Sequence, residues 1–326
     1  MRMANNRKAL VVGINYYDNI KNLCGCVNDA KQMQKVLNRN EDDSLNFTVA
    51  TLTAKDKSTR VTCGQLKDAI EELFKGDSEV ALLYVASHGF VDSSGGYIIA
   101  SDSKRGDDGL AMDIVLKYAN DSNAKNRVII LDCCHAGCMG NIANFPGAAT
   151  LGDGVTILAA STEEQYASEE HGSGVFTGLL VDALKGSAAN LVGEVTPGSA
   201  YALIDQTLGP WNQRPVFKTN VKNFVSLRKA KAPLELAELH QLTRLFPNPD
   251  YDFPLDPTFE PESKVGQKGN MKKFEVLQHF NRVNLVVPYG LPKKKNHMYF
   301  AAMMKKGCRL TALGRHYWNL VDKGAI

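Results

Sequence analysis

The sequence predicts an α/β fold, a mainly parallel central sheet flanked by helices, followed by a small separate C-terminal module. Three observations predict it. Short apolar runs rich in β-branched residues alternate with helically spaced segments over the first two thirds of the chain. Some runs, such as Val80–Ala86, are apolar throughout, as strands covered on both faces are. Charge is also divided: residues 264–326 carry 13 Lys and Arg against only Glu275 and Asp322, whereas the other 263 residues hold 25 basic and 33 acidic side chains. The net charge of +3 conceals a basic tail on an acidic body, which marks a boundary.

Taken in order, Lys8–Ile14 reads as the first strand and is followed by the turn-like stretch Asn15–Asn19. Val27–Leu37 has helical spacing through Val27, Ala30, Met33 and Leu37, and Phe47–Leu52 reads as a second strand. Thr62–Phe74 is a predicted helix with Thr62 as N-cap and Leu66, Ile70, Leu73 and Phe74 on one face. Val80–Ala86 is the third strand, with a small hairpin at Tyr97–Ala100. A helix at Ala111–Tyr118 leads to strands at Arg127–Leu131 and Val155–Ala160. Helices at Phe176–Leu184 and Ser199–Leu208 precede a last strand within Val216–Leu227.

The domain reading is 1–229 for the α/β domain, 230–263 for an acidic, proline-rich linker and 264–326 for the basic module. Six of the twelve prolines fall in 233–261, where acids outnumber the single Arg244. One short helix is expected inside this linker, at Leu234–Leu245. In the tail a helix at Met271–Arg282, a strand near Val283–Val287, a turn at Pro292–Asn296, a strand at Met298–Met303 and a helix at Leu310–Val321 give a winged-helix-like order.

Composition narrows the function classes. Hydrophobic residues at 44% and charged residues at 22% exclude a disordered or collagen-like chain. No run approaches the ~18 apolar residues of a membrane span, and the apolar run after Lys8 is too short for a secretory signal. No membrane partner and a cytoplasmic location are therefore expected. Seven cysteines without a disulfide framework or paired CxxC spacing fit a reducing compartment, with free thiols.

Two segments end buried strands at the edge where α/β sheets present their sites: Tyr84-Val-Ala-Ser-His88-Gly89 and Ile130-Leu-Asp132-Cys133-Cys134-His135-Ala-Gly137. His88 precedes Cys134 by 46 residues, a spacing that suits a Cys–His pair on neighbouring strand ends. The bland alternative is that both are buried structural residues. With further motifs in order, the stretch 7–228 resembles the caspase-like cysteine peptidases, and the metacaspases more than the animal caspases. Those motifs are Cys26-Val-Asn28-Asp29-Ala30, Ala160-Ser161, Gln165-x-Ala167-x-Glu169, Phe176-Thr177 and Gln213-Arg-Pro215.

The resemblance implies a cysteine endopeptidase with Cys134 as nucleophile and His88 as its proton partner. It implies an oxyanion hole from the backbone N–H groups of Gly89 and Cys134. Strand alternation sends Cys133 and Cys134 to opposite sides, so Cys133 is expected in the core. His135 is expected as a packed neighbour.

Animal caspases bind an Asp side chain with arginines, one of them two residues before a Gly; here Leu23 stands two residues before Gly25. The metacaspase-like S1 pocket for Arg or Lys implies Asp29 and Asp132, with Cys26 beside them. Asp29 also reads as a helix N-terminal acid. Ala86 departs from the Ser that the family often has two residues before its His.

No metal or cofactor is required by the pattern. The metacaspase resemblance makes Ca²⁺ a candidate, through Asp102, Asp107, Asp108 and Asp113, which also read as a solvated acidic loop; Asn141 stands where that resemblance implies a further acid. Gly137–Gly154 contains no Lys or Arg for self-cleavage by a basic-P1 enzyme.

Expected partners are a protein or peptide substrate and an activating or regulatory protein docking on the basic module, with nucleic acid the less favoured ligand. An acidic partner could also be the chain's own 235–262 segment. From the resemblance alone follows a role in a stress or antiviral pathway. The competing class is an inactive scaffold, or a regulator working through its tail.

Overall fold

The computed structural model describes residues 6–142, 145–161, 169–170, 173–208 and 214–326. It divides into two units: residues up to Ala189 together with Gly193–Lys231, and Asn190–Val192 together with Ala232–Ile326.

The first unit is built on a six-stranded sheet. Its strands are β1 (Arg7–Ile14), β2 (Thr48–Ala54), β3 (Val80–Ala86), β4 (Asn126–Asp132), β5 (Val155–Ala159) and β6 (Val216–Asn220). They lie in the order β6-β5-β4-β3-β1-β2, all parallel except β6, which runs antiparallel to β5. Around them pack α1 (Cys26–Asn38), α2 (Cys63–Phe74), α3 (Met112–Asn120), α4 (Val175–Asp182) and α5 (Pro197–Leu208).

The two-residue period of the strands divides the core into two layers. Leu10, Val12, Leu83, Val85, Ile129 and Leu131 face α2 and α3; Val11, Leu82, Tyr84, Val128 and Ile130 face α1, α4 and α5. Asp132, at the end of β4, shares its parity with Ile130 and so points toward the α1–α4 layer. Thr62 caps α2 as its sequence predicts, accepting from the Gln65 N–H while the Gln65 side chain bonds back to Thr62. Behind the third strand lies a short antiparallel sheet of Gly89–Asp92, Gly95–Ile98 and Leu110–Ala111.

The second unit corrects the expected domain division. Residues 232–263 are not a linker: Leu239, Leu242, Phe246, Leu255 and Phe259 are buried in one core with Phe274, Leu277 and Phe280. Its helices are α6 (Leu236–Leu239), α7 (Gln241–Leu245), α8 (Lys268–Arg282), α9 (Met298–Met303) and α10 (Ala312–Asp322). Its sheet has β7 (Phe253–Pro254) and β8 (Val286–Tyr289) on either side of β9 (Gly307–Leu310). The prolines prevent long regular elements, but the apolar residues between them still find partners. The Trp318 indole N–H donates to the Phe246 carbonyl at 2.7 Å, tying α10 to the end of α7.

The strand expected at Met298–Met303 is helix α9. Met298, Ala301 and Ala302 are its buried positions, a helical spacing hidden in a short, nearly continuous apolar run. A helix therefore stands between β8 and β9, where a winged-helix order needs a two-stranded wing. Arg309 pairs with Asp252 at 3.2 Å and Arg315 with Asp250 at 2.8 Å, so the acidic segment neutralises part of the basic tail within one unit. Among the described residues no helix is long and apolar enough to cross a membrane.

Candidate active site

Strands β3 and β4 are neighbours in parallel register, with Ala86 opposite Asp132. His88 and Cys134 each lie two residues past that pair, at the same edge of the sheet. Gly89 brings the two loops into contact. A Cβ added at Gly89 would overlap the Cys134 carbonyl oxygen and lie 3.3 Å from the Cys134 nitrogen. Only glycine allows this approach.

His88 is held from the loop after β1. Its main-chain N–H donates to the Tyr17 hydroxyl at 2.8 Å, and the two rings lie 4.9 Å apart. Tyr17 is buried, and its hydroxyl donates a hydrogen bond to the Ile14 carbonyl at 3.1 Å. The His88 Nε2 sits 2.8 Å from the Lys21 carbonyl oxygen. That oxygen can only accept, so Nε2 carries the hydrogen and Nδ1 is the basic nitrogen. Burial, with the Cys26, Cys133 and Cys134 thiols nearby, drives the Tyr17 hydroxyl well above the ordinary phenol range, so it stays protonated.

Cys134 is half-buried, whereas Cys133 is 1% exposed in the α2–α3 layer of the core. Burial, with the neighbouring Cys134, pushes the Cys133 thiol well above the usual range. Cys133 thus lies in the core, as strand alternation predicts. His135 turns the chain in the left-handed region, φ 60°, and is half-buried. The Lys218 ammonium donates to the carbonyls of Gly137 and Met139, at 2.8 and 2.9 Å, and pins the loop after Cys134.

Asp29 and Asp132 lie on α1 and at the end of β4, and both are nearly buried. They converge on the residue that opens α4. The Gly174 N–H donates to Asp29 Oδ2 at 3.0 Å. A Cβ at Gly174 would overlap Asp132 Oδ2 and lie 3.3 Å from Asp29 Oδ2. Asp29 thus does more than complement its own helix. The Thr177 hydroxyl donates to Asp132 Oδ2 at 2.6 Å and itself contacts the Tyr84 hydroxyl at 2.5 Å. Cys26 is buried at the first turn of α1, where its carbonyl lies against Gly13. Ala86 is buried in the α1–α4 layer.

Three of the four loop acids have partners of different kinds. Asp102 accepts from the Cys63 N–H, and Asp108 accepts from Lys104, Arg105 and Gly106. Asp107 pairs with Arg105. Among the described residues no three His, Cys, Asp or Glu side chains gather as a metal site. Gln165, Ala167 and Gln213 lie outside the described residues, and the side chains of Asn141 and Glu169 lie outside them too.

A sequence model described as the caspase domain matches residues 6–307. The chain belongs to the caspase family. By family it is a cysteine-type peptidase, and the match runs beyond 7–228 into the second unit. Two solved structures share the caspase fold. A protein of Geobacter sulfurreducens aligns with a TM-score of 0.51 and 18% identity, over 70% of this chain and 98% of its own. Caspase-1 of Spodoptera frugiperda aligns with a TM-score of 0.51 and 14% identity, over 71% of this chain and 92% of its own. A search of curated proteins finds no match.

Sequence reasoning missed Tyr17, Tyr84, Thr177 and Lys218 as site residues. Tyr17 offered one signal, as one of two adjacent tyrosines in the turn Asn15–Asn19. Tyr84 and Thr177 stand in the Tyr84–Gly89 segment and the Phe176-Thr177 motif, but their pairing, like that of Lys218, has no local signal because the partners lie 45 to 93 residues away.

Proposed function

We propose that this caspase family member is an endopeptidase that cleaves peptide bonds after Arg or Lys, with Cys134 as nucleophile and His88 as its proton partner. The observation that carries this reading is the seating of Gly89 against the Cys134 backbone, at adjoining ends of parallel strands. His88 takes the thiol proton on Nδ1, and the sulfur attacks the scissile carbonyl carbon. Negative charge on the carbonyl oxygen is stabilised by the N–H groups of Gly89 and Cys134. His88 then returns the proton to the leaving amine, and water hydrolyses the thioester.

The basic P1 preference rests on Asp29 and Asp132 meeting at Gly174, with Cys26 one helical turn before Asp29 on α1. Paired carboxylates attract a guanidinium or ammonium and repel an acidic side chain. Regulation is assigned to the second unit, as a docking surface for an acidic regulatory protein. Lys293–Lys295, Lys305 and Lys306 are exposed there, with Tyr299, Met303 and Met304 among them.

The test uses matched fluorogenic peptides with Arg, Lys, Asp or Leu at P1, with Cys134→Ala and with calcium or a chelator. Cleavage after Arg or Lys that vanishes in Cys134→Ala is the expected result. Cleavage after Asp sinks the acidic-pocket reading. Activity retained in Cys134→Ala sinks the nucleophile.

A further inference from the structure

The hydroxyls of Tyr84 and Thr177 form a relay that ends on Asp132, and its direction follows from counting protons. Thr177 has one hydroxyl hydrogen, and it donates that hydrogen to Asp132 Oδ2 at 2.6 Å. The 2.5 Å contact between the Tyr84 and Thr177 hydroxyls must then run from Tyr84 to Thr177. A fully buried phenol on β3 thus donates to a fully buried threonine on α4, and the threonine donates to the carboxylate at the end of β4. Burial, with Asp132 and Asp29 next in effect, keeps the Tyr84 proton in place far above the ordinary phenol range.

We infer that Thr177 and Tyr84 are positioning residues for charge selection, holding Asp132 as an aimed carboxylate on the side it shares with Asp29. This inference rests on the reading of Asp29 and Asp132 as the substrate pocket. Its physical basis is the cost of burying a carboxylate: Asp132 is 6% exposed, and a charge so buried needs hydrogen bonds that favour its ionised form. Donors already locked in place also hold one oxygen in a fixed direction, so an incoming cation meets a preorganised acid. Gly174 completes the arrangement, since any side chain there would displace Asp132 Oδ2. Ala86 on β3 brings no hydroxyl to this acid; the Thr177 hydroxyl supplies one, with Tyr84 behind it.

The experiment uses the full chain in four forms: wild type, Thr177→Val, Thr177→Ser and Tyr84→Phe. Benzamidine, a small amidinium, is titrated by calorimetry, and kcat and KM are measured on Arg, Lys and citrulline P1 peptides. Thr177→Val is expected to weaken benzamidine about ten-fold and raise KM for Arg and Lys peptides by a similar factor, the size expected for one hydrogen bond to a charged group. The citrulline peptide loses far less, because a neutral side chain gains little from the carboxylate. Thr177→Ser restores binding to within about two-fold, as the hydroxyl is retained. Tyr84→Phe falls between Ser and Val. Thermal melting of each variant separates these losses from unfolding.

Equal losses in Thr177→Ser and Thr177→Val overturn the relay, as does a Thr177→Val protein with unchanged benzamidine affinity and P1 preference. A wild type that neither binds benzamidine nor prefers Arg or Lys overturns the pocket itself, and the relay with it. Failure of the relay alone leaves wild-type binding intact, so the two failures are told apart.

Discussion

Gly89 lies so close to Cys134 that a single methyl group at residue 89 would occupy the position of the Cys134 carbonyl oxygen. Backbone rather than side chain is pressed against backbone, so no rotamer change can relieve the clash. Gly89→Ala is therefore expected to lower kcat by about 100-fold or more, the scale of a lost oxyanion donor. The folded state should survive, because Gly89 is the terminal residue of the short Gly89–Asp92 strand, outside the six-stranded sheet. Steady-state kinetics with a parallel thermal melt check both parts.

Tyr17 supports His88 through the backbone and through ring contact. Tyr17→Phe keeps the ring and removes the acceptor of the His88 N–H. The cost is expected at about 1–3 kcal/mol, the penalty for a buried polar group left without its partner. Denaturant unfolding measures it. Activity should fall about ten-fold as the imidazole loses its fixed backbone, with the loss in kcat rather than KM.

The adjacent thiols should behave as opposites. Iodoacetamide on the native protein is expected to modify Cys134 and leave Cys133 untouched, as peptide mass mapping would reveal. Exposed Cys24 should also react. Cys133→Ala should retain activity, and Cys134→Ala should lose it.

A pH effect follows from the same burial. The Cys133 thiol is raised far above its ordinary value of 9.0 in the folded protein, so thiolate forms first in the unfolded chain. The stability associated with the neutral thiol is complete below pH 9.0 and is lost as pH rises above it. Melting curves of Cys133→Ala should show a weaker alkaline decline than wild type.

Phe246 is a test of what the proline-rich segment is. It is fully buried, and its carbonyl accepts from Trp318. Phe246→Ala is expected to cost about 3–5 kcal/mol, as for a core phenylalanine, where a linker residue would cost nothing measurable. Limited proteolysis of the wild type should spare residues 236–259 accordingly.

Much of the first unit was legible because its signals are local. Val80–Ala86 is a strand over the very residues whose unbroken apolar character predicts one. Thr62 and Gln65 announce the start of α2 by chemistry alone. Ordered motifs single out His88, Cys134, Asp29 and Asp132 in the sequence, and the structure brings Asp29 and Asp132 together at Gly174.

Where local signals conflict, the reading failed. Six prolines between 233 and 261 outweighed Leu239, Leu242, Phe246 and Phe259, although proline forbids only regular hydrogen bonding and not burial. Met298–Met303 has apolar residues at nearly every position, which fits either period. Tyr84 and Thr177 could not be paired from sequence, since their contact exists only once α4 covers β3.

The assignment of Asn190–Val192 to the second unit bears on how the chain is made. Leu191 and Val192 emerge from the ribosome long before Phe246, Phe274 and Trp318, whose core they join. Until those residues are synthesised, two apolar side chains wait in the middle of an otherwise finished α/β unit. A nascent chain stopped at residue 231 would therefore display a sticky point that chaperones recognise, and an expression fragment cut there would inherit it.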